Sequence, residues 1–140
     1  MFTKILVGLD GSAAAQHALE QALALARLTG GSVQALSVEE KLPAYAATVG
    51  EVLDEDAYKN QYFRTIHDEA RRLAAAQQVA FEAGVVSGHA ADQLVQAARQ
   101  GGHDLLVIGH TGHSRLHHLL LGSTADRVVE HAPCPVLVMR

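Results

Sequence analysis

The run Leu105-Leu106-Val107-Ile108-Gly109-His110-Thr111-Gly112, followed after nine residues by Gly122-Ser123-Thr124, joins an apolar strand pattern to a glycine-punctuated loop and then to a helix. The helix is read from Ala125, Val128, Val129 and Ala132, which recur at i, i+3, i+4 and i+7. Gly109 and Gly112 carry no Cβ, so the chain can turn tightly there and approach a ligand closely. Ser123 and Thr124 fall where the helix begins. Unpaired N–H groups and the helix dipole favour an anion at such a place, and a hydroxyl there can cap the helix or bond a phosphate oxygen. A loop whose glycines serve only to turn the chain would show the same letters, so the rest of the chain has to decide.

Working outward, strand and helix patterns alternate from end to end. Lys4 to Leu9 is a short β-branched and aliphatic run, strand one. Ser12 can cap a helix running to about Leu28, with Ala15, Ala18, Leu19, Ala22 and Ala26 on one face, and Gly30-Gly31 stops it. Ser32 to Val38 is strand two. Glu39 to about Leu53 contains Pro43 and Gly50 and reads as a loop, long enough to suggest a lid or a partner surface. A second helix spans about Asp54 to Gln78, with Asp54, Glu55 and Asp56 near its start and Arg71-Arg72 nearer its end, the order the macrodipole prefers. Ala80 to Val86 is strand three. Helix three covers about Ala91 to Gln100, with Ala91, Leu94, Val95 and Ala98 as its buried stripe. Strand four, the glycine loop, helix four and strand five (Val136 to Met139) complete the chain.

This alternation predicts an α/β fold: a single doubly wound domain over residues 1–140, with a five-stranded parallel sheet and helices on both faces. In such folds the ligand crevice lies at the carboxyl ends of the strands, where the winding reverses. If strands one and four flank that point, Asp10-Gly11-Ser12 and the Gly109 loop converge on one pocket.

Composition narrows the class. A chain of 140 residues fits one domain with a proper core, and its 49% hydrophobic and 19% charged content is ordinary for a soluble protein. No apolar run approaches the ~20 residues needed to cross a bilayer. The N-terminus goes straight into a strand pattern, which makes the cytoplasm the default location. Cys134 is the single cysteine, so an internal disulfide and a cysteine-based zinc site are excluded, and its place before an apolar strand suggests a buried, inert thiol. The formal charge is −4, there is no basic block, and the three Tyr and three Phe do not interleave with Lys or Arg, so nothing suggests nucleic acid as a partner.

With these elements in place, the chain resembles the universal stress protein family over essentially its full length. The carrying residues are Ile5-Leu6-Val7-Gly8-Leu9-Asp10-Gly11-Ser12, Gly88, Asp104-Leu105-Leu106-Val107-Ile108-Gly109, and Pro133-Cys134-Pro135-Val136-Leu137-Val138. The most specific is Gly109-x2-Gly112-x9-Gly122-Ser123, the spacing of the family's ATP-binding branch. The resemblance implies a sheet ordered 3-2-1-4-5 and a bound ATP or other adenine nucleotide, with Mg²⁺ as a candidate companion. By position it places Leu9, Asp10, Val38 and Ile108 around adenine and ribose. It places Gly109, Gly112, His113, Gly122, Ser123 and Thr124 on ribose and phosphates, with Ser12 close by. It also implies a homodimer built by pairing the C-terminal strands. Thr124 departs from the apolar residue, often Val, that many relatives carry, and the histidines after Gly109 give the loop an unusual make-up.

Several residues carry two readings. Asp10 either caps a turn or accepts a hydrogen bond from ribose or adenine, or helps hold a cation. A receiver-type phosphoacceptor site is rejected, because Leu9 and Val85-Val86-Ser87 do not supply the acidic residues it needs. His110, His113, His117 and His118 invite a metal, but no Cys or carboxylate lies within the loop to complete a site. A backbone contact from His113 to phosphate is the simpler role. Arg115 is a candidate for a terminal phosphate, and Leu119-Leu120-Leu121 are read as loop leucines tucked onto the core. No Gly-x4-Gly-Lys-(Ser/Thr) loop is present, and helix geometry points Ser12 and His17 apart.

The expectation is therefore a nucleotide-binding regulatory dimer with little or no hydrolysis, not an enzyme, and with an unidentified protein partner. The alternative is an adaptor that keeps the fold, works without nucleotide and controls a transporter or stress enzyme. A hydrolase of the related adenine-nucleotide group would want a Ser-Gly-Gly-x-Asp-Ser-like loop after strand one, which Leu9-Asp10-Gly11-Ser12 does not supply.

Overall fold

A computed structural model describes the backbone of residues 1–40, 49–110 and 121–140, and their side chains except at 49–59. The elements are β1 (Lys4–Gly8), α1 (Ala13–Thr29), β2 (Ser32–Glu39), α2 (Val49–Ala76), β3 (Ala80–Ser87), α3 (Ala90–Gly101), β4 (Leu105–Gly109), α4 (Ser123–His131) and β5 (Val136–Met139). The strands form one sheet in the order β3-β2-β1-β4-β5, every neighbouring pair parallel, as expected.

Strand alternation divides the core between the two faces of the sheet. Ile5, Val7, Val33, Ala35, Leu105 and Val107 point to the side where α1 packs its stripe Ala15, Ala18, Leu19, Ala22, Leu23 and Ala26, and where α2 adds Ala70 and Ala74. Leu6, Leu36, Leu106 and Ile108 point to the other side, under Ala91, Leu94, Val95 and Ala98 of α3 and Ala125 and Val128 of α4. The alanine-rich stripe of α1 joins high helix propensity to close approach onto the two central strands. Ser12 caps it, its Oγ accepting from the Ala15 N–H at 3.2 Å, and Gly30 ends it at φ 73°.

Two expectations about element bounds need correction. The second helix starts at Val49, not Asp54, so the segment read as a loop from Glu39 to Leu53 is helical over its last part. Gly50 lies in the first turn of a 28-residue helix, where a glycine penalty of about 1 kcal/mol is small beside the bonds gained by propagation. The same helix ends at Ala76, not Gln78, because Gln78 turns into the left-handed region at φ 58° and the Val79 N–H returns to the Ala74 carbonyl at 3.0 Å. Val129, part of the periodicity from which the last helix is read, is 49% exposed. That helix spans only 9 residues and rests on the sheet through Ala125 and Val128, so its apolar face is narrower than the sequence stripe. Residues 41–48, the rest of the suggested lid, lie outside the described residues.

Candidate functional site

β1 and β4 are neighbours at the centre of the sheet, and their chains leave it in opposite directions, β1 into α1 and β4 toward α4. This is the topological switch point, where the ends of two strands open a crevice. Leu9 continues the ladder one residue beyond β1, its N–H donating to the Leu36 carbonyl at 3.0 Å. Leu9 is buried on the α1–α2 side of the sheet, whereas buried Ile108 and half-buried Val38 lie on the α3–α4 side, so the strand ends flanking the crevice are apolar on both faces. Asp10 follows, its Oδ1 accepting from the Ser12 N–H at 2.9 Å. That bond fixes the turn and fulfils the capping role for Asp10. Gly11 has φ 87°, and a Cβ on it would overlap the hydroxyl of Tyr62.

Gly109 has a packing role that its place in the motif does not reveal. Its φ is not in the left-handed region among the described residues. A Cβ on Gly109 would sit 2.7 Å from Ala14 Cβ, 2.9 Å from Ala14 C and 3.0 Å from Ala15 N. The missing side chain is used by the protein itself, to let the first turn of α1 close onto the end of β4. His110 then donates its N–H to the Met139 carbonyl at 2.6 Å, and the Gly122 N–H donates to the His110 carbonyl at 2.7 Å. Residues on both sides of the undescribed segment 111–120 are thus tied directly together, and α4 starts where β4 ends.

Gly122 itself holds the N-cap position of α4, and it has no side chain to cap with. The expectation that Ser123 or Thr124 provides a capping hydroxyl is therefore corrected: both lie inside the first turn and are exposed. The N–H groups of Ser123, Thr124 and Ala125 have no carbonyl one turn back within the helix, and the first such bond runs from Asp126 to Gly122 at 2.9 Å. With the helix dipole behind them, these amides form an anion-attracting end.

Of the residues singled out from the sequence, Leu9, Asp10, Ser12, Val38, Ile108, Gly109, Gly122, Ser123 and Thr124 are described, and all belong to this end of the sheet. Gly112, His113, Arg115, His117 and His118 lie outside the described residues, as do Leu119 and Leu120. Among the described residues no group of three or more His, Cys, Asp or Glu gathers as a metal site. Cys134 is half-buried against the α3–α4 core, and burial, reinforced by Asp104, pushes its thiol pKa up, which disfavours the thiolate.

Sequence reasoning missed the layer behind the crevice. Ser37 Oγ donates to the Leu9 carbonyl and stands 2.8 Å from Nε2 of His67. Tyr62 donates its hydroxyl to the Asp10 carbonyl at 2.8 Å. Ser37 and His67 are 1% and 4% exposed, and burial, with Arg71 nearby, lowers the His67 pKa from its ordinary value. The signal was present as polar interruptions of apolar patterns: Ser37 breaks Ala35-Leu36-Ser37-Val38, and His67 sits in the α2 stripe with Phe63, Ala70 and Ala74.

Comparison with known proteins agrees with this architecture. The family described as the universal stress protein family matches residues 1–140. A universal stress protein of Thermus aquaticus is 34% identical, the match covering 100% of both chains. The solved structure of a universal stress protein from Lactobacillus plantarum is 32% identical, with a TM-score of 0.79 over 99% of this chain and 98% of that one. A universal stress protein solved in complex with cAMP is 28% identical, with a TM-score of 0.75 over 97% of this chain and 95% of that one.

Proposed function

This chain belongs to the universal stress protein family, and we propose that it binds an adenine nucleotide, with ATP the first candidate, in the crevice between β1 and β4. The observation that carries the reading is that the open amide end of α4 and the Asp10 turn both lie at the carboxyl end of the sheet, where the neighbouring central strands β1 and β4 end, beside the apolar residues Leu9, Val38 and Ile108. Phosphate suits the amides of Ser123, Thr124 and Ala125, an aromatic base suits the apolar strand ends, and a carboxylate acceptor at Asp10 suits ribose hydroxyls or the adenine amino group. The relative bound to cAMP supports the choice of an adenine nucleotide.

In this reading the protein is a cytoplasmic regulator rather than an enzyme. Asp10 is engaged by the Ser12 amide, and no P-loop lysine is supplied, so turnover of bound ATP is slow or absent. Two copies pair through β5, whose Leu137 is 40% exposed on the sheet edge. Nucleotide occupancy is read by a protein partner, and Mg²⁺ accompanies the phosphates.

Denaturing freshly purified protein and identifying released nucleotide by mass spectrometry tests this. Adenine nucleotide in stoichiometric amount supports the reading. A protein that arrives empty and also takes up no ATP with Mg²⁺ refutes it, and leaves the nucleotide-independent adaptor for a transporter or stress enzyme as the function to pursue.

A further inference from the structure

Two side chains of α2 hold two successive carbonyls of the segment that leads from β1 into the crevice. Tyr62 donates to the Asp10 carbonyl at 2.8 Å. One and a half turns on, His67 reaches the Leu9 carbonyl through Ser37, whose Oγ lies 2.8 Å from His67 Nε2 and donates to Leu9. A serine hydroxyl has one hydrogen, and here Leu9 takes it. Ser37 must therefore accept from His67, which fixes the imidazole as the Nε2–H tautomer. The lowered His67 pKa agrees with a neutral ring. Gly11 completes the arrangement, because only a residue without Cβ leaves room for the Tyr62 hydroxyl.

These contacts are more than core filling. Phe63, Ala70 and Ala74 of the same helix are buried apolar residues, whereas the serine–histidine pair and the tyrosine hydroxyl reach the Leu9 and Asp10 carbonyls. A buried serine–histidine pair is costly unless both partners are satisfied, so its geometry is narrowly defined. Asp10, whose carboxylate turns back on Ser12, is set from behind by α2 and from within its own turn.

We propose that Tyr62, Ser37 and His67 are positioning residues through which α2 sets the orientation of Asp10, and thereby the affinity of the crevice for adenine nucleotide. The affinity part rests on the proposed function; the orientation part does not. Movement of α2 is in this way transmitted to the crevice through two hydrogen-bonded carbonyls.

The test uses the full chain with three variants: Tyr62→Phe, which loses only the hydroxyl, His67→Leu, and His67→Gln, whose side-chain N–H can still reach Ser37. In the ligand-free protein, amide hydrogen exchange at Asp10–Ser12 is expected to rise about three- to tenfold in Tyr62→Phe and His67→Leu. Exchange at Leu19 and Leu23 inside α1 stays at the wild-type rate, and His67→Gln restores protection. Unchanged exchange at Asp10–Ser12 in folded Tyr62→Phe and His67→Leu overturns the proposal. Titration with ATP adds the functional half: the dissociation constant rises about three- to tenfold in the same two variants and returns toward wild type in His67→Gln. Binding by the variants at wild-type affinity refutes the link to affinity, whereas failure of wild type to bind any adenine nucleotide refutes the proposed function and leaves the exchange result to decide the orientation role.

Discussion

Replacing Gly109 by alanine tests whether this glycine is required by the packing of α1 on β4. The added Cβ meets three atoms of α1 at 2.7, 2.9 and 3.0 Å, and two of them, Ala14 C and Ala15 N, are backbone. Backbone at the start of a helix cannot rotate away as a long side chain does, so α1 or the end of β4 must shift by several tenths of an ångström. Overpacking of this kind costs about 1–3 kcal/mol, and the reduced freedom of the unfolded chain returns roughly 0.4–1 kcal/mol, leaving a net loss of about 1–2 kcal/mol. For a domain of this size that is a fall in Tm of roughly 3–10 °C. Thermal melts and urea titrations, read by circular dichroism, measure it. Gly84→Ala is the matched control, because a Cβ there meets nothing within 4 Å and Gly84 has no positive φ. The control is expected within about 0.5 kcal/mol of wild type, or slightly above it. A Gly109→Ala protein as stable as Gly84→Ala would refute the packing argument and return Gly109 to a role in ligand approach alone.

Ser12→Ala removes the acceptor for the Ala15 N–H and should cost about 1 kcal/mol in urea denaturation, whereas Ser12→Gly costs only a few tenths. Stability should also depend on pH through the buried histidines. Burial lowers the folded pKa of His67, with Arg71 adding to it, and of His103, with Lys4 adding to it, below the ordinary 6.5. The unfolded chain then binds the protons first, so stability is full above about pH 6.5 and falls as pH drops through that value toward the folded pKa. Melts across pH 7.5 to 5.5 should show this fall, and His67→Gln should reduce its slope; a flat profile in wild type would contradict it. The proposed pairing through the edge strand β5 predicts a dimer in light scattering after size exclusion for wild type and a folded monomer for Leu137→Glu; a monomeric wild type would contradict it.

The fold was legible because its signals are local and repeated. Short β-branched strands, the alanine stripe of α1 and the stop at Gly30-Gly31 each specify one element, and their alternation leaves little choice of architecture. The start of α2 was not legible, because Pro43 and Gly50 mark loops locally while the length of the helix outweighs one glycine. Val129 shares the helical period of α4 but not its burial, because periodicity gives a stripe but not how much of it the sheet reaches. At the candidate site, Leu9, Asp10 and the Gly122 turn stand out in the sequence. The glycine at 109 did so for an incomplete reason, since its clash with α1 depends on a partner nearly a hundred residues away. Tyr62, Ser37 and His67 meet the crevice only through the β1–β2–α2 packing, which no spacing along the chain reveals.

The central claim is tested most directly by isothermal titration of the purified chain with ATP and Mg²⁺, beside the variant Ser123→Glu. The account predicts saturable binding of one nucleotide per chain, and its loss when a carboxylate is set among the α4 amides, with the variant melting cooperatively as wild type does. Absence of binding by wild type, or equal binding by a folded Ser123→Glu protein, would contradict it.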